Sequence, residues 1–450
     1  MVSLQHRPRR ASLHTLGCRL NQSETRLLEE RLQAAGYEVV PFGETAELGI
    51  INTCTVTAQA ELKCRYEIRR FLRKNPRAFL AVTGCYAESG HRVLATMPGV
   101  DLILGNQNKL SLPDYLGDGS KNSVPVVIRD RLTREDFTIE AAGDWPFAQR
   151  ANLKVQDGCD FVCGFCIIPR VRGPARSRDW SDLLAEARQL ARRGVRELVL
   201  TGVNIGTYSS GGYNLVDMVD ALADMPGLAR VRISSIEPTT VDAALFQRMA
   251  DPAHNLQPYL HLPLQSGCDR VLREMRRRYS TSEYADFVRQ AMAWVPDLCL
   301  GTDVLVGHPG ETPDDFEATC RYFQALPFAY AHVFTYSERE RTPAARRTDS
   351  VPMAERQRRS AHLRQLSAQR RLDWNRQYLG RTLPVLFEDP RDGFCPGYTA
   401  NYIRVMVPAP AAGRDLRNTL RYVRLDNAIG DFVEGTLLPD HTSAQVVLSA

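Results

Sequence analysis

The chain has 450 residues, 44% of them hydrophobic and 24% charged, with eleven cysteines and a net charge of +5. This is a globular composition, long enough for about three domains, with no run of about 18 apolar residues to cross a membrane. The N-terminal MVSLQHRPRRAS is basic without a following apolar segment, so it reads as a disordered lead and the cysteines fit a reducing cytoplasm and metal ligation better than disulfides.

Three predicted strands open the chain, each ending in a cysteine. Residues 12–17 lead into Cys18, 49–53 into Cys54 and 79–84 into Cys85, and helix-like segments such as NQSETRLLEERLQAAG follow. Alternating strand and helix predicts parallel β-α units, whose ligands gather beyond the carboxyl ends of the strands. Cys18, Cys54 and Cys85 fall at those ends, the right count for an iron–sulfur cube with one open iron. The competing reading is three buried small hydrophobes, and Cys64, Cys268, Cys299, Cys320 and Cys395 are read in that way.

Further on, QDGCDFVCGFCIIPR sets Cys159, Cys163 and Cys166 at Cys-x3-Cys-x2-Cys spacing. Three thiolates this close suit a [4Fe-4S] cube whose fourth iron is free for a small molecule; structural zinc closes with four ligands, and no fourth Cys or His is nearby. The runs NLKVQD, ELVLTG, VRISSI, YLHLPL, LGTDVLVG and AHVFTY alternate with helical stretches such as 182–193 and 313–325. Six such units predict a partial barrel, with the cysteine loop at its C-terminal mouth. Asn204, Ser235, Glu237, His261, Gln265 and Asp303 fall at strand ends. Arg172, Arg176 and Arg178 follow the cysteine loop, where they suit a carboxylate, a nucleic-acid phosphate or an internal salt bridge.

Residues 352–378 hold seven arginines (356, 358, 359, 364, 370, 371 and 376) against Glu355 and Asp373. Such a stretch suits a polyanion such as RNA or forms a solvated helix face. Short alternating runs after 379, TLPVLFE, NYIRVMV, LRYVRLD and VEGTLL, predict a small antiparallel barrel. Tyr398, Tyr402, Arg404, Arg421, Tyr422 and Arg424 give it a basic, aromatic surface suited to RNA.

The cysteine loop resembles the signature of the radical S-adenosylmethionine superfamily. TLGCRLNQSET, INTCTVT, TGCYAE, GCDFVCGFCIIPRVRGPARSR, MRRRYS, GTDVLVGHPGET and NYIRV together resemble the methylthiotransferases over nearly the whole chain. The resemblance implies an α/β architecture in this order: an N-terminal three-layer parallel α/β domain at 1–120, a linker at 121–144, a partial (β/α)6 TIM-like radical core at 145–375, and a TRAM-type RNA-binding barrel at 376–441. It implies two [4Fe-4S] clusters, on Cys18, Cys54 and Cys85 and on Cys159, Cys163 and Cys166, with S-adenosylmethionine on the open iron of the second. Phe165 takes the position that packs on adenine, and Glu237 and Gln265 are candidate cofactor contacts. His308, where an aromatic is usual, and the Ser337–Pro343 segment, without the usual glycine, depart from the family pattern.

The implied activity is replacement of the C2 hydrogen of N6-threonylcarbamoyladenosine, at position 37 of the tRNA anticodon loop, by a methylthio group. Reductive cleavage of S-adenosylmethionine to a 5′-deoxyadenosyl radical drives it, without a side-chain acid or base. A cytoplasmic enzyme of this kind takes tRNA, an electron donor and a sulfur source as partners, and no membrane. NQSET and NTCTVT are the features that point to the threonylcarbamoyl branch. The alternatives are isopentenyladenosine 37 in tRNA, an aspartate of ribosomal protein S12, or a non-enzymatic RNA-binding protein with metal sites.

Overall fold

A computed structural model describes residues 8–140, 149–410 and 415–439. The lead at 1–7, the expected domain boundary at 144/145 and the barrel end at 441 lie outside the described residues.

The N-terminal unit is a six-stranded parallel sheet. Its strands are β1 (Arg10–Thr15), β2 (Glu38–Val40), β3 (Leu48–Thr53), β4 (Phe79–Gly84), β5 (Leu102–Leu104) and β6 (Val126–Ile128), in the order β2-β1-β3-β4-β5-β6. β3 and β4 are buried along their whole length, as expected of central strands covered on both faces. Helices α1 (Arg19–Ala34) and α2 (Ala58–Lys74) supply the cover. β6 lies within the segment 121–144 that the sequence suggested as linker; pairing of Leu102 with Val126 makes it the sheet's edge instead.

Six further strands form the partial barrel: β7 (Arg150–Lys154), β8 (Glu197–Thr201), β9 (Arg230–Ile233), β10 (Tyr259–His261), β11 (Cys299–Val306) and β12 (Tyr330–Thr335). β7, β8 and β9 pair in parallel, as do β10, β11 and β12. Bridges at Val231–Leu256 and Ser235–His261 join the halves. Among the described residues no pairing returns from β12 to β7. Side chains alternate across a strand, so one face of Tyr259/His261 and of Tyr330/His332/Phe334 looks into the lumen, while leucines and valines pack outward in the largest core.

The C-terminal unit is a closed five-stranded barrel of β13 (Thr382–Phe387), β14 (Phe394–Thr399), β15 (Arg404–Pro408), β16 (Leu420–Ile429) and β17 (Phe432–Leu437). It departs from the antiparallel expectation at one seam: β17 leaves the β16 hairpin and runs parallel to β15, Arg404 opposite Phe432. The barrel is docked on the core. Arg230 donates to the carbonyls of Tyr398 (2.7 Å) and Pro384 (2.8 Å), and Arg232 to that of Ala400 (2.9 Å). Tyr398 and Tyr402 lie under the Arg150 and Arg232 guanidiniums, on the side of the barrel that docks on the core.

The arginine-rich segment forms helix α3 (Met353–Arg376). Two of its seven arginines are engaged internally. Arg356 and Arg359 are only 3% and 2% exposed; the first pairs with Glu338 and the second with Glu311 and Glu355. The seven arginines do not share one environment: Arg358, Arg364 and Arg376 are exposed, whereas Arg356 and Arg359 turn to the interior.

Candidate functional site: two cysteine triads around one lumen

Cys18, Cys54 and Cys85 follow three adjacent strands in register, with Thr15 opposite Asn52 and Asn52 opposite Thr83. Neighbouring strands stand about 4.8 Å apart, which brings the three strand ends into one small region. Cys54 feels the electrostatic influence of both Cys85 and Cys18. Each residue sits at a strand-to-helix turn. Cys18 caps α1, whose N-terminus favours negative charge.

The turns before Cys18 and Cys85 share with that before Cys159 a cause that sequence reading missed. Gly17, Gly84 and Gly158, each immediately before a cysteine, adopt φ of +101°, +98° and +68°. A Cβ at Gly84 would lie 2.5 Å from the Thr53 carbonyl oxygen, and one at Gly158 would lie 1.9 Å from that of Pro174. Only glycine combines the left-handed conformation with so close an approach. The signal was the Gly-Cys dipeptide in TLGC, TGC and DGC.

Cys159, Cys163 and Cys166 occupy the loop after β7. Gly164 pins it, donating to the Met275 carbonyl (2.8 Å) and accepting from Ala344 N (2.8 Å). The Phe161 amide lies 3.4 Å from the Cys159 sulfur and Arg277 Nη1 3.2 Å from the Cys163 sulfur. Burial pushes the Cys54 and Cys159 thiols up to about 11 and Cys166 to about 12, and raises Cys85 and Cys163. Such thiols are protonated at neutral pH and serve poorly as free nucleophiles; a metal supplies the charge that lets them ionise.

Both triads fit an anionic iron–sulfur cube. Between them lies a buried charge network. Arg172 meets Glu24 (3.0 and 3.1 Å), Asp157 (2.9 Å) and Asn21 (2.6 Å). Lys109 binds Glu24 (2.5 Å), Lys154 binds both carboxylates (2.7 and 2.8 Å), and Arg176 approaches Asp157 at 3.7 Å. Four cations thus face two carboxylates, and the excess positive charge acts on Cys85 through Arg172 and Lys109. Asn106 ties the two units together, donating to the Val171 carbonyl at 2.6 Å with Cys85 Sγ at 3.8 Å. Arg172 and Arg176 are held here, and Arg178 is engaged by Asp182 and Glu186. All three take the salt-bridge role.

Two cavities open beside the cysteines. The smaller, about 190 Å³, is lined by Phe165, Cys166, Gln265, Asp303, Leu305 and Tyr336 among others. Gln265 adopts φ +70° there, a strained conformation of the kind that marks functional sites. Phe165 and Gln265 line this one cavity. Glu237 lies instead beside Cys163, its carboxylate paired with Arg277, the residue that reaches the Cys163 sulfur. His308, the departure from the family pattern, is buried and packs edge-on against Tyr336 at 5.7 Å; desolvation lowers it to about 4, so it acts as a neutral ring.

The larger cavity, about 630 Å³, is the barrel lumen, and Cys18, Arg19, His261, His332, Arg371 and Tyr402 contribute to its walls. Val56, Ile168, Asp303 and Phe334 line both cavities, so the two adjoin. His261 Nε2 lies 2.8 Å and His332 Nδ1 3.4 Å from Asp303. Burial opposes ionisation of Asp303, but the two histidines more than offset it and hold the carboxyl below its usual range. The sequence reading found His261 and Asp303 but passed over His332, although its i+2 spacing from Tyr330 in YAHVFTY carried the signal.

Residues 10–105 match the uncharacterized protein family UPF0004, and residues 153–323 match the radical SAM superfamily. The chain resembles the solved radical S-adenosylmethionine methyltransferase TsrM of Kitasatospora setae in fold, with TM-score 0.53, 14% identity, and 75% of this chain and 77% of that one covered. Fold and cysteine loop together define a radical SAM enzyme, with a [4Fe-4S] cluster and S-adenosylmethionine as cofactors. Among its relatives is the threonylcarbamoyladenosine tRNA methylthiotransferase of Bacillus subtilis, 36% identical over 408 residues, covering 88% of this chain and 89% of that protein. The Aquifex aeolicus protein of the same name is 34% identical over 84% of this chain and 92% of its own. The tRNA-2-methylthio-N(6)-dimethylallyladenosine synthase of the Wolbachia of Brugia malayi is 32% identical over 84% of this chain and 88% of its own. The chain belongs to the radical SAM tRNA methylthiotransferase family, enzymes that transfer a sulfur-containing group.

Proposed function

We propose that the protein methylthiolates C2 of N6-threonylcarbamoyladenosine at position 37 of tRNA, using two [4Fe-4S] clusters. The observation that carries this reading is the placement of the cysteines. Cys18 borders the lumen, Cys166 borders the adjoining cavity, and the shared wall of Val56, Ile168, Asp303 and Phe334 leaves one space in reach of both. The names of the Bacillus and Aquifex relatives support the threonylcarbamoyl substrate, and the NQSET and NTCTVT motifs point the same way.

When bound, the two clusters and S-adenosylmethionine would supply the one-electron chemistry and the sulfur; an aromatic C–H offers a base no acidic proton. The chain's own residues bind and orient. Cys159, Cys163 and Cys166 would hold one cluster, with Arg277 and the Phe161 amide compensating its charge. Cys18, Cys54 and Cys85 would hold the other, beside the cationic network of Arg172 and Lys109. Phe165 and Gln265 would fix the cofactor's adenosine, and Tyr402 of the docked C-terminal barrel forms part of the lumen wall. Position 37 lies in a single-stranded loop, where turning a base outward costs least. An electron donor and a sulfur source complete the partners.

Nucleoside mass spectrometry of tRNA from cells with and without the gene tests the substrate. Loss of the methylthio derivative of threonylcarbamoyladenosine is the expected result; loss of the dimethylallyl derivative instead would reassign the enzyme.

A further inference from the structure

The lumen carries an uncompensated positive charge. Of its lining residues, Asp303 is the only carboxylate, and it is engaged by His261 and His332. Arg172 reaches the same wall but is bound to Glu24 and Asp157. Arg19 and Arg371 have no carboxylate partner among the described residues. Arg19 Nη2 donates to the Tyr402 hydroxyl at 2.5 Å. Arg371 lies over the Tyr330 ring at 4.1 Å. One aromatic rail supports both. Tyr402 packs on Tyr259 at 4.6 Å, the Tyr259 and Tyr330 hydroxyls are 2.6 Å apart, and the Tyr330 hydroxyl lies 3.2 Å from His261 Nδ1. Tyr402 is held at φ +62°, a backbone strain that the C-terminal barrel must sustain to present this ring.

We infer that Arg19 and Arg371 form an anion subsite that takes the carboxylate of the threonylcarbamoyl substituent, and that Tyr402 carries the C-terminal barrel into the specificity of the active site. The inference rests on the proposed function and names the residues that read its substrate. A threonine joined to adenine N6 through a carbonyl presents a carboxylate and a hydroxyl beyond the base. A lumen of about 630 Å³ has room for a purine and such a substituent. A guanidinium away from bulk water needs an acceptor, and the carboxylate supplies it. A dimethylallyl group would leave both guanidiniums without an anionic acceptor, and a site built for charged hydrogen bonds rejects the analogue that lacks them. An RNA phosphate or the carboxylate of S-adenosylmethionine has the same chemistry, so the test must separate the three.

Binding of anticodon stem–loop RNAs to the reconstituted holoenzyme, without S-adenosylmethionine and at fixed salt, does so. The loops carry at position 37 threonylcarbamoyladenosine, its threonine methyl ester, dimethylallyladenosine or plain adenosine. All have the same phosphates, and only the first has the carboxylate. The wild type should bind the first about tenfold or more tighter than the ester. Arg19→Gln with Arg371→Gln should shrink that gap to within about threefold, and Arg371→Lys should retain most of it. If the paired variant does not fold, Arg371→Gln alone should still narrow the gap. Variants that keep the wild-type gap would overturn the subsite and leave the proposed function standing. A wild type that prefers the dimethylallyl loop would overturn the proposed function itself.

Discussion

Arg172, just beyond the core cysteine loop, crosses into the N-terminal unit and grips Glu24 of α1 with both terminal nitrogens, at 3.0 and 3.1 Å, each side chain nearly inaccessible to solvent. The pair joins the two cysteine-bearing units directly, and it is embedded in the cationic network that faces Cys85.

Arg172→Met removes the centre of this network, the one guanidinium that Glu24 and Asp157 share, and leaves them to Lys109, Lys154 and Arg176. Breaking a buried ion pair from one side costs about 3–5 kcal/mol. Calorimetry should therefore show a clear loss of thermal stability. An unchanged melting curve would mean that the network does not bind the units together.

Gly84→Ala and Gly158→Ala test the turns before Cys85 and Cys159. Each adds a Cβ into a backbone carbonyl at a left-handed residue. Iron bound after anaerobic reconstitution should fall by about half in each variant, one cluster of about four irons being lost. Full iron loading of both would show that these turns tolerate a side chain.

Glu30 offers a pH test. It is 2% exposed, both carboxylate oxygens lack a hydrogen-bond partner, and burial with Glu186 nearby raises its carboxyl from 4.5 to about 8. The native state thus holds a proton that the unfolded chain releases between those values. Stability from this group is fully present below pH 4.5 and is lost as pH rises through about 8. Glu30→Gln should raise the melting temperature by about 2–4 °C at pH 9, for about 1 kcal/mol, and by much less at pH 5. An equal effect at both pH values would contradict the assignment.

The sequence carried some of this and concealed the rest for physical reasons. Cys159, Cys163 and Cys166 are close in sequence, so their spacing speaks for itself. Cys18, Cys54 and Cys85 were legible because strand periodicity puts each at the same place in a β-α unit. The pairing of Glu237 with Arg277 was not legible because the two lie 40 positions apart with no periodic signal linking them. The charge of α3 was misread because Glu311, 48 positions from Arg359, neutralises part of it from another element. The docking of Tyr398 and Tyr402 on the core was not legible because nothing in an alternating strand reveals which face will pack on another unit.

The central claim is that each cysteine triad holds its own cluster and that both serve one nucleobase. Reconstituted wild type, Cys163→Ala and Cys54→Ala, each with tRNA bearing threonylcarbamoyladenosine, S-adenosylmethionine and a reductant, test it most directly, by mass spectrometry of 5′-deoxyadenosine and nucleosides together. The wild type should form 5′-deoxyadenosine and the methylthio nucleoside, Cys163→Ala neither, and Cys54→Ala the first without the second. A methylthio nucleoside formed by Cys54→Ala, or 5′-deoxyadenosine formed by Cys163→Ala, would contradict the account.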